Sequence, residues 1–276
     1  MVARLRAAGG ILLGKTNVPT GGGGGETTNP LHGQTNNPYD TRVHPGSSSG
    51  GEAAIIAAGG SPLGLGSDSG GSIRLPAHNC SIAGLRPTVG RVPATGAGHH
   101  GDLCDHRSQV GLLARSVADR ALAFPLIAGE DWRDASIVAM PIGDPAGVEL
   151  AHCRVAFYVH DGITAATPAT EATVCAAARS LADRGAQLEE RVPPGIDQAW
   201  DITRGVWQWH RGETTAGAHL RVLARWNRLR SKMLGFLQHH DLIVCPVAAC
   251  PAVRHGETAT TTRPSCSSIR SLQLTG

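Results

Sequence analysis

At 276 residues the chain is long enough to bury a full-sized core, and it reads as a single domain over residues 1–276. Hydrophobic residues are 41% and charged residues 17%, an ordinary globular balance that excludes a disordered chain and, with no long apolar run, a membrane-spanning one. The net charge of +3 rests on scattered arginines, which argues against the basic stripe of a nucleic-acid surface.

In chain order, residues 1–8 read as the end of a helix, Gly9-Gly10 as a turn and Ile11-Leu12-Leu13 as a short buried strand. Residues 21–51 are punctuated by glycine, asparagine, threonine and proline, so they read as loop, with residues 27–40 too polar for core. Ser49 and Glu52 have capping-box spacing, and a small-sided helix is expected over residues 52–58. Residues 62–66 then read as a strand, 84–96 as a strand and turn, and 116–128 as a helix. Between 154 and 192 lies a strand–helix–strand unit, its helix opened by Pro168 and closed by Gly185. A helical stretch follows over 196–240, with Trp200, Trp207, Trp209 and Trp226 expected in the core, and then a buried strand over residues 242–247. Alternating strands and helices predict an α/β sandwich. Seven cysteines without a close-spaced frame argue against a disulfide scaffold, and Met1–Asn17 has no signal-peptide layout; a reducing cytoplasm is the expected location.

Two serine-glycine clusters carry the chemistry. They are Gly46-Ser47-Ser48-Ser49-Gly50-Gly51 and Gly66-Ser67-Asp68-Ser69-Gly70-Gly71-Ser72-Ile73-Arg74. One such cluster alone is most simply a flexible loop. Neither ends in the lysine-serine/threonine pair of a phosphate-binding loop. Together they suit acyl transfer. Glycines before Ser72 let backbone N–H groups converge beside its hydroxyl, as an oxyanion hole requires. Ser48 precedes a helix N-terminus, where free amides favour developing negative charge.

The stretch GSSSGGEAAIIAAGGSPLGLGSDSGGSIRLPAHNCSIAGLRPT, residues 46–88, resembles the amidase-signature family over a long, gapless match. Further matches are Gly14-Lys15-Thr16-Asn17, Gly33-Gln34-Thr35-Asn36-Asn37-Pro38 and Arg115-Ser116-Val117-Ala118-Asp119, with weaker echoes as far as Asp241–Pro246. The resemblance implies that family's α/β/α sandwich around a mixed sheet, with the serine core at 40–125 and the strand–helix–strand and helical region at 150–250. It implies hydrolysis of a carboxylic amide to acid and ammonia through a Ser–cis-Ser–Lys triad. By motif, Ser72 corresponds to the nucleophile and Ser48 to the bridging serine. Ser69, Gly70 and Gly71, with the amide of Ser72, correspond to the oxyanion hole, and Asp68, Arg74 and Ser49 support the loop. Asp68 and Arg74 read equally well as a local salt bridge. No cofactor or metal is implied. The expected partners are a small-molecule amide and, as an assembly, a homodimer; neither nucleic acid nor membrane is expected.

The family's lysine lies far upstream of the bridging serine, in a segment this chain does not contain. Lys15 and Lys232 are its two lysines, the first in a structural motif and the second in an arginine-rich helical stretch. Ser271–Gly276 resembles a motif just before the family's last strands, and residues 252–270 fit the resemblance poorly. The fold is thus expected to be incomplete at both ends. Two rivals to an amidase follow, a non-catalytic truncated remnant and the lineage of the A subunit of the tRNA-dependent amidotransferase. The His99–His106 stretch holds metal-ligand types, but its spacing fits a loop better than a zinc site, and Cys245 and Cys250 read as packing.

Overall fold

The computed structural model describes residues 1–22, 24–97 and 107–258. Among these, Met1–Ala146 with the residues from Ala252 onward form one compact unit, and Gly147–Pro251 forms a second.

The first unit contains α1 (Val2–Ala7), a small hairpin β1 (Thr28–Asn29) and β2 (Gly33–Gln34), α2 (Gly50–Ala57), β3 (Leu63–Asp68), α3 (Arg74–Asn79), β4 (Ala83–Leu85), β5 (Gln109–Ala114) and α4 (Val117–Ile127). Strand β5 is central and runs antiparallel to both β3 and β4. It is buried along its whole length. Side chains alternate across a sheet, so Val110 and Leu112 face one way and Gly111 and Leu113 the other. Val110 and Leu112 pack with Val92 and with Ala123 and Ile127 of α4, joined by Met1 and Leu5. Leu113 meets Ala53 and Ile56 of α2, together with Ile73 and Cys80. Helices therefore cover both faces, and the expected α/β/α layering is present in this unit.

Ser116 caps α4 reciprocally: its hydroxyl accepts the Asp119 amide at 3.1 Å and donates to the Asp119 carboxylate at 2.7 Å. The other end of α4 is held from a distance. One guanidinium nitrogen of Arg4 donates to the carbonyls of Ile127, Ala128 and Gly129 at 3.0, 2.9 and 3.0 Å, and its neighbour donates to Glu130. A cation at a helix C-terminus satisfies orphan carbonyls and the helix dipole together. Arg4→Ala should therefore lower stability by about 1–3 kcal/mol, read as a shifted urea midpoint at constant slope. Arg4→Lys should recover only part of it, because a point charge cannot reproduce the planar fork.

Three local expectations are corrected. Ile11-Leu12-Leu13 forms no strand, and Ile11 is 86% exposed, since the run finds no neighbouring strand among the described residues. Ser49 occupies the N-cap of α2, but its side chain makes no capping bond. Glu52 instead accepts the Thr16 hydroxyl at 2.8 Å, and burial pushes its carboxyl above the ordinary range. Residues 27–40 are not wholly outside the core, since Thr27 and Asn37 are fully buried.

In the second unit β6 (Arg154–Phe157) lies between β7 (Gln187–Glu190) and β8 (Leu242–Val244), parallel to both. Helices α5 (Pro168–Ala182), α6 (Ala199–His210) and α7 (Ala216–Leu237) accompany them. The expected strand–helix–strand unit is β6–α5–β7, with Thr167 capping α5 ahead of Pro168. Met233 and Phe236 of α7 pack on Ala156 and Ile243. The tryptophans do not form this core. Trp207 is exposed and Trp200, Trp209 and Trp226 are half-buried; the buried positions are Ala199, Ile202, Gly205 and Val206 on α6 and Leu229, Met233 and Phe236 on α7. The strands of the chain are mixed in direction, antiparallel in the first unit and parallel in the second. Among the described residues no helix is long and apolar enough to cross a membrane.

Candidate active site

Strand β3 ends on Asp68, a residue with no exposed surface, and the chain then turns through Ser69–Ile73 into α3. Its carboxylate organises that turn. Oδ1 accepts the Gly71 amide and Arg74 Nη2, both at 2.8 Å. Oδ2 accepts the amides of Ile73 at 3.1 Å and Arg74 at 3.3 Å, and Arg74 Nε at 3.0 Å. The Arg86 guanidinium lies 3.8 Å from Oδ1. Burial alone would raise the carboxyl's pKa; the charges and hydrogen bonds of Arg74, with Arg86, outweigh it and hold Asp68 below the ordinary range. The Asp68–Arg74 salt bridge is present, and the same carboxylate also ties down the amides on either side of Ser72.

Below this turn the sheet is bare. Ile73 is fully buried, and its side chain would stand 3.0, 3.1 and 3.0 Å from a Cβ placed at Gly66, Gly84 or Gly111, one glycine on each strand. A methyl at any of them would press against Ile73. The loop sits close to the sheet because three side chains are missing there.

The first serine cluster is pinned in the same way. The Ser47–Ser48 peptide is cis. Gly46, with φ +91°, approaches so closely that a Cβ would lie 2.6 Å from Pro76 Cα. Its amide donates to His44 Nδ1 at 3.1 Å and its carbonyl accepts the Thr27 hydroxyl at 2.9 Å. Asn79 donates to the His44 carbonyl at 3.2 Å. The Ser49 amide donates to the Ser72 carbonyl at 3.2 Å, a direct bond between the two clusters. Sequence spacing alone could not reveal that bond, nor the parts of Thr27, His44 and Asn79.

The structure thus brings Ser48, Ser49 and Ser72 into one neighbourhood, with Ser48 and Ser72 half-buried. The amides of Gly70 and Ser72 make no hydrogen bond among the described residues, whereas that of Gly71 is committed to Asp68. The Ser69 hydroxyl shares a hydrogen bond with Ser108. Ser47, where the family usually has glycine, buries a hydroxyl without a partner among the described residues. Nearby Cys80 is no rival nucleophile, since burial pushes its thiol up to about 12. Lys15 is exposed, while its neighbours work structurally: Thr16 bonds Glu52, and Asn17 donates to the Gly33 carbonyl and the Thr35 hydroxyl, both at 3.0 Å. Lys232 is exposed on α7. Among the described residues no group of histidine, cysteine and carboxylate side chains could hold a metal ion, and the histidine-rich stretch at 99–106 lies outside them.

The sequence matches the Amidase family over residues 1–216. The chain belongs to the amidase-signature family. Its lineage is that of amide C–N hydrolases. Among its amidase relatives is the A subunit of a glutamyl-tRNA(Gln) amidotransferase from Roseiflexus sp. (strain RS-1), 40% identical over 197 residues, 68% of this chain and 39% of the relative. A fatty-acid amide hydrolase 1 of Sus scrofa is 38% identical over 203 residues, 72% of this chain and 35% of the relative. The chain therefore spans about two fifths of the length of the curated relatives it matches. The solved structure of 6-aminohexanoate cyclic dimer hydrolase with substrate aligns with a TM-score of 0.79 at 25% identity, over 99% of this chain and 67% of that one. The A subunit of the Thermotoga maritima glutamyl-tRNA(Gln) amidotransferase aligns with a TM-score of 0.81 over 97% of this chain and 67% of that one; at 23% identity it supports the amidase fold alone.

Proposed function

We propose that this amidase cleaves a carboxylic amide through an acyl-enzyme on Ser72. The Ser72 hydroxyl oxygen attacks the amide carbonyl carbon while its proton passes to Ser48. The C–N bond then breaks, nitrogen leaves as ammonia carrying that proton, and water releases the acid from the ester. The amides of Gly70 and Ser72, with that of Ser69, stabilise the oxyanion. The observation that carries this reading is the hydrogen bond from the Ser49 amide to the Ser72 carbonyl, which sets the cis Ser47–Ser48 peptide beside the Asp68-anchored turn. Neither lysine of this sequence is the base of the family's triad. A lysine base needs a desolvated, neutral amine, and both side chains are exposed. A positioned base is worth about 10²–10⁴-fold, so the 276-residue chain on its own should turn over amides slowly.

The test is acyl trapping. Incubation with a p-nitrophenyl ester followed by peptide mass spectrometry should find the acyl group on the peptide containing Ser72, and Lys15→Met should leave the acylation rate unchanged. Acylation of another residue would overturn the assignment, and a large loss in a folded Lys15→Met protein would make Lys15 the base.

The relatives named as glutamyl-tRNA(Gln) amidotransferase A subunits favour a second reading, the lineage of the subunit that feeds ammonia to misacylated tRNA. It is separated from the first by its dependence on partners: turnover of simple aliphatic and aromatic amides by the chain alone in one case, activity only with partner subunits in the other.

A further inference from the structure

We propose that the second unit carries a binding site for a small organic anion, between the segment leaving β7 and the last turns of α7. This goes beyond the serine chemistry and does not depend on it. A cavity of about 320 Å³ opens there, within the usual range of small-molecule pockets, about 300–1,000 Å³. Arg191, Lys232, His239 and His240 line it, and no carboxylate does.

The charges do not cancel locally. Glu189 is the acid at hand, and both its oxygens are occupied: Oε1 by Arg191 Nη1 at 3.0 Å and Oε2 by His240 Nε2 at 2.7 Å. Strand alternation turns Glu190 to the opposite face of β7. Arg191 Nε and Nη2 remain without a partner among the described residues, and Lys232 has no ion pair among them. A Cβ placed at Gly195, in the turn beyond β7, would lie 3.5 Å from Lys232 Nζ, so the ammonium is held beside the cavity rather than far from it. A guanidinium edge and an ammonium around one space are complementary to a carboxylate or a phosphate monoester.

The rest of the lining is apolar, from Val192, Pro194 and Phe236, whose ring stacks on His240 with centroids 4.2 Å apart. That selects an anion with a hydrocarbon body over a bare inorganic one. Gly235 supplies the room. Glycine weakens a helix, and close packing does not require it here, because a Cβ at Gly235 would meet nothing within 4 Å. Its effect is to leave that wall of the cavity open.

The experiment titrates the full chain with benzoate, phenyl phosphate, inorganic phosphate and neutral benzyl alcohol, using calorimetry and amide NMR. Benzoate or phenyl phosphate should bind saturably, shifting resonances around Arg191 and Lys232, and the stronger of the two identifies the anion class. Inorganic phosphate should bind more weakly than phenyl phosphate, and benzyl alcohol should not bind. Lys232→Met should weaken binding by about tenfold or more, the scale of removing a single charge-assisted hydrogen bond. Gly235→Leu should abolish binding by filling the cavity, with the circular dichroism spectrum and Tm retained. Absence of saturable binding, equal binding of benzyl alcohol, or anion binding indifferent to both variants would overturn the proposal. Both substitutions lie in α7, so their outcome is independent of whether Ser72 is the nucleophile.

Discussion

Ser72→Ala should abolish covalent labelling by a fluorophosphonate, whether the chain is tested alone or joined behind a lysine-bearing N-terminal segment from one of its relatives. The loss should be complete because the attacking oxygen is gone, and the nearby Cys80 thiol is held protonated by burial. Ser48→Ala should behave differently. The nucleophile stays while its proton route goes, so labelling in the joined protein should slow by about 10²–10⁴-fold rather than vanish. In-gel fluorescence against time separates the two. Labelling that survives Ser72→Ala would remove that serine from the mechanism.

Asp68→Asn should be the most damaging structural change in the first unit. The carboxylate is fully buried and accepts three backbone amides and two guanidinium groups' worth of charge. Breaking a buried ion pair by removing one partner costs about 3–5 kcal/mol, because the remaining charge is left uncompensated. The pH dependence has a definite sign. Asp68 is held below its ordinary value in the folded protein, so its contribution is present in full above the unfolded carboxyl pKa. It is lost as pH falls through the lowered folded value. Urea midpoints for the wild type should therefore drop on acidification below about pH 4, and that acid limb should shrink in Asp68→Asn. If the variant does not accumulate as folded protein, Arg74→Met, which keeps Arg86 and the amide bonds, should show a smaller loss of the same kind. A wild-type midpoint indifferent to acid over that range would refute the role given to Asp68.

Much of the serine neighbourhood is legible in residue order because its function resides in backbone. Glycines beside serines can be read as turns and converging amides without knowledge of their neighbours. Supports that arrive from elsewhere in the chain are not legible. Thr27 lies in a polar stretch that reads as surface, yet its hydroxyl is consumed by the Gly46 carbonyl. Strand β5 escapes a reading by pattern because Gly111 interrupts its apolar run, and a Cβ at that glycine would meet the Leu85 carbonyl first and Pro87 and Ile73 after it. The tryptophans mislead for a related reason. Their spacing is helical, but periodicity gives a face and not the direction in which that face turns. The layering of the first unit is recoverable because α2 has a small-sided surface and α4 a capped start.

The three glycines under Ile73 make the sheet a reference plane from which the height of Ser72 is measured. Loop residues could be exchanged and the Ser72 hydroxyl would still be set by how near a hydrocarbon side chain can rest on bare backbone. A methyl group added at Gly66 or Gly84 would crowd Ile73 together with Ser49 and Leu113 or with Ala77, and one at Gly111 would also strike the Leu85 carbonyl at 2.0 Å, so the packing under the loop would have to shift. Misplacement of a reacting group by about 1 Å can cost 10²-fold in rate. Attempts to redirect this scaffold to new amides should accordingly leave β3, β4 and β5 untouched and vary the residues that meet the acyl group. The strictest tolerance in the site belongs to residues that never touch substrate.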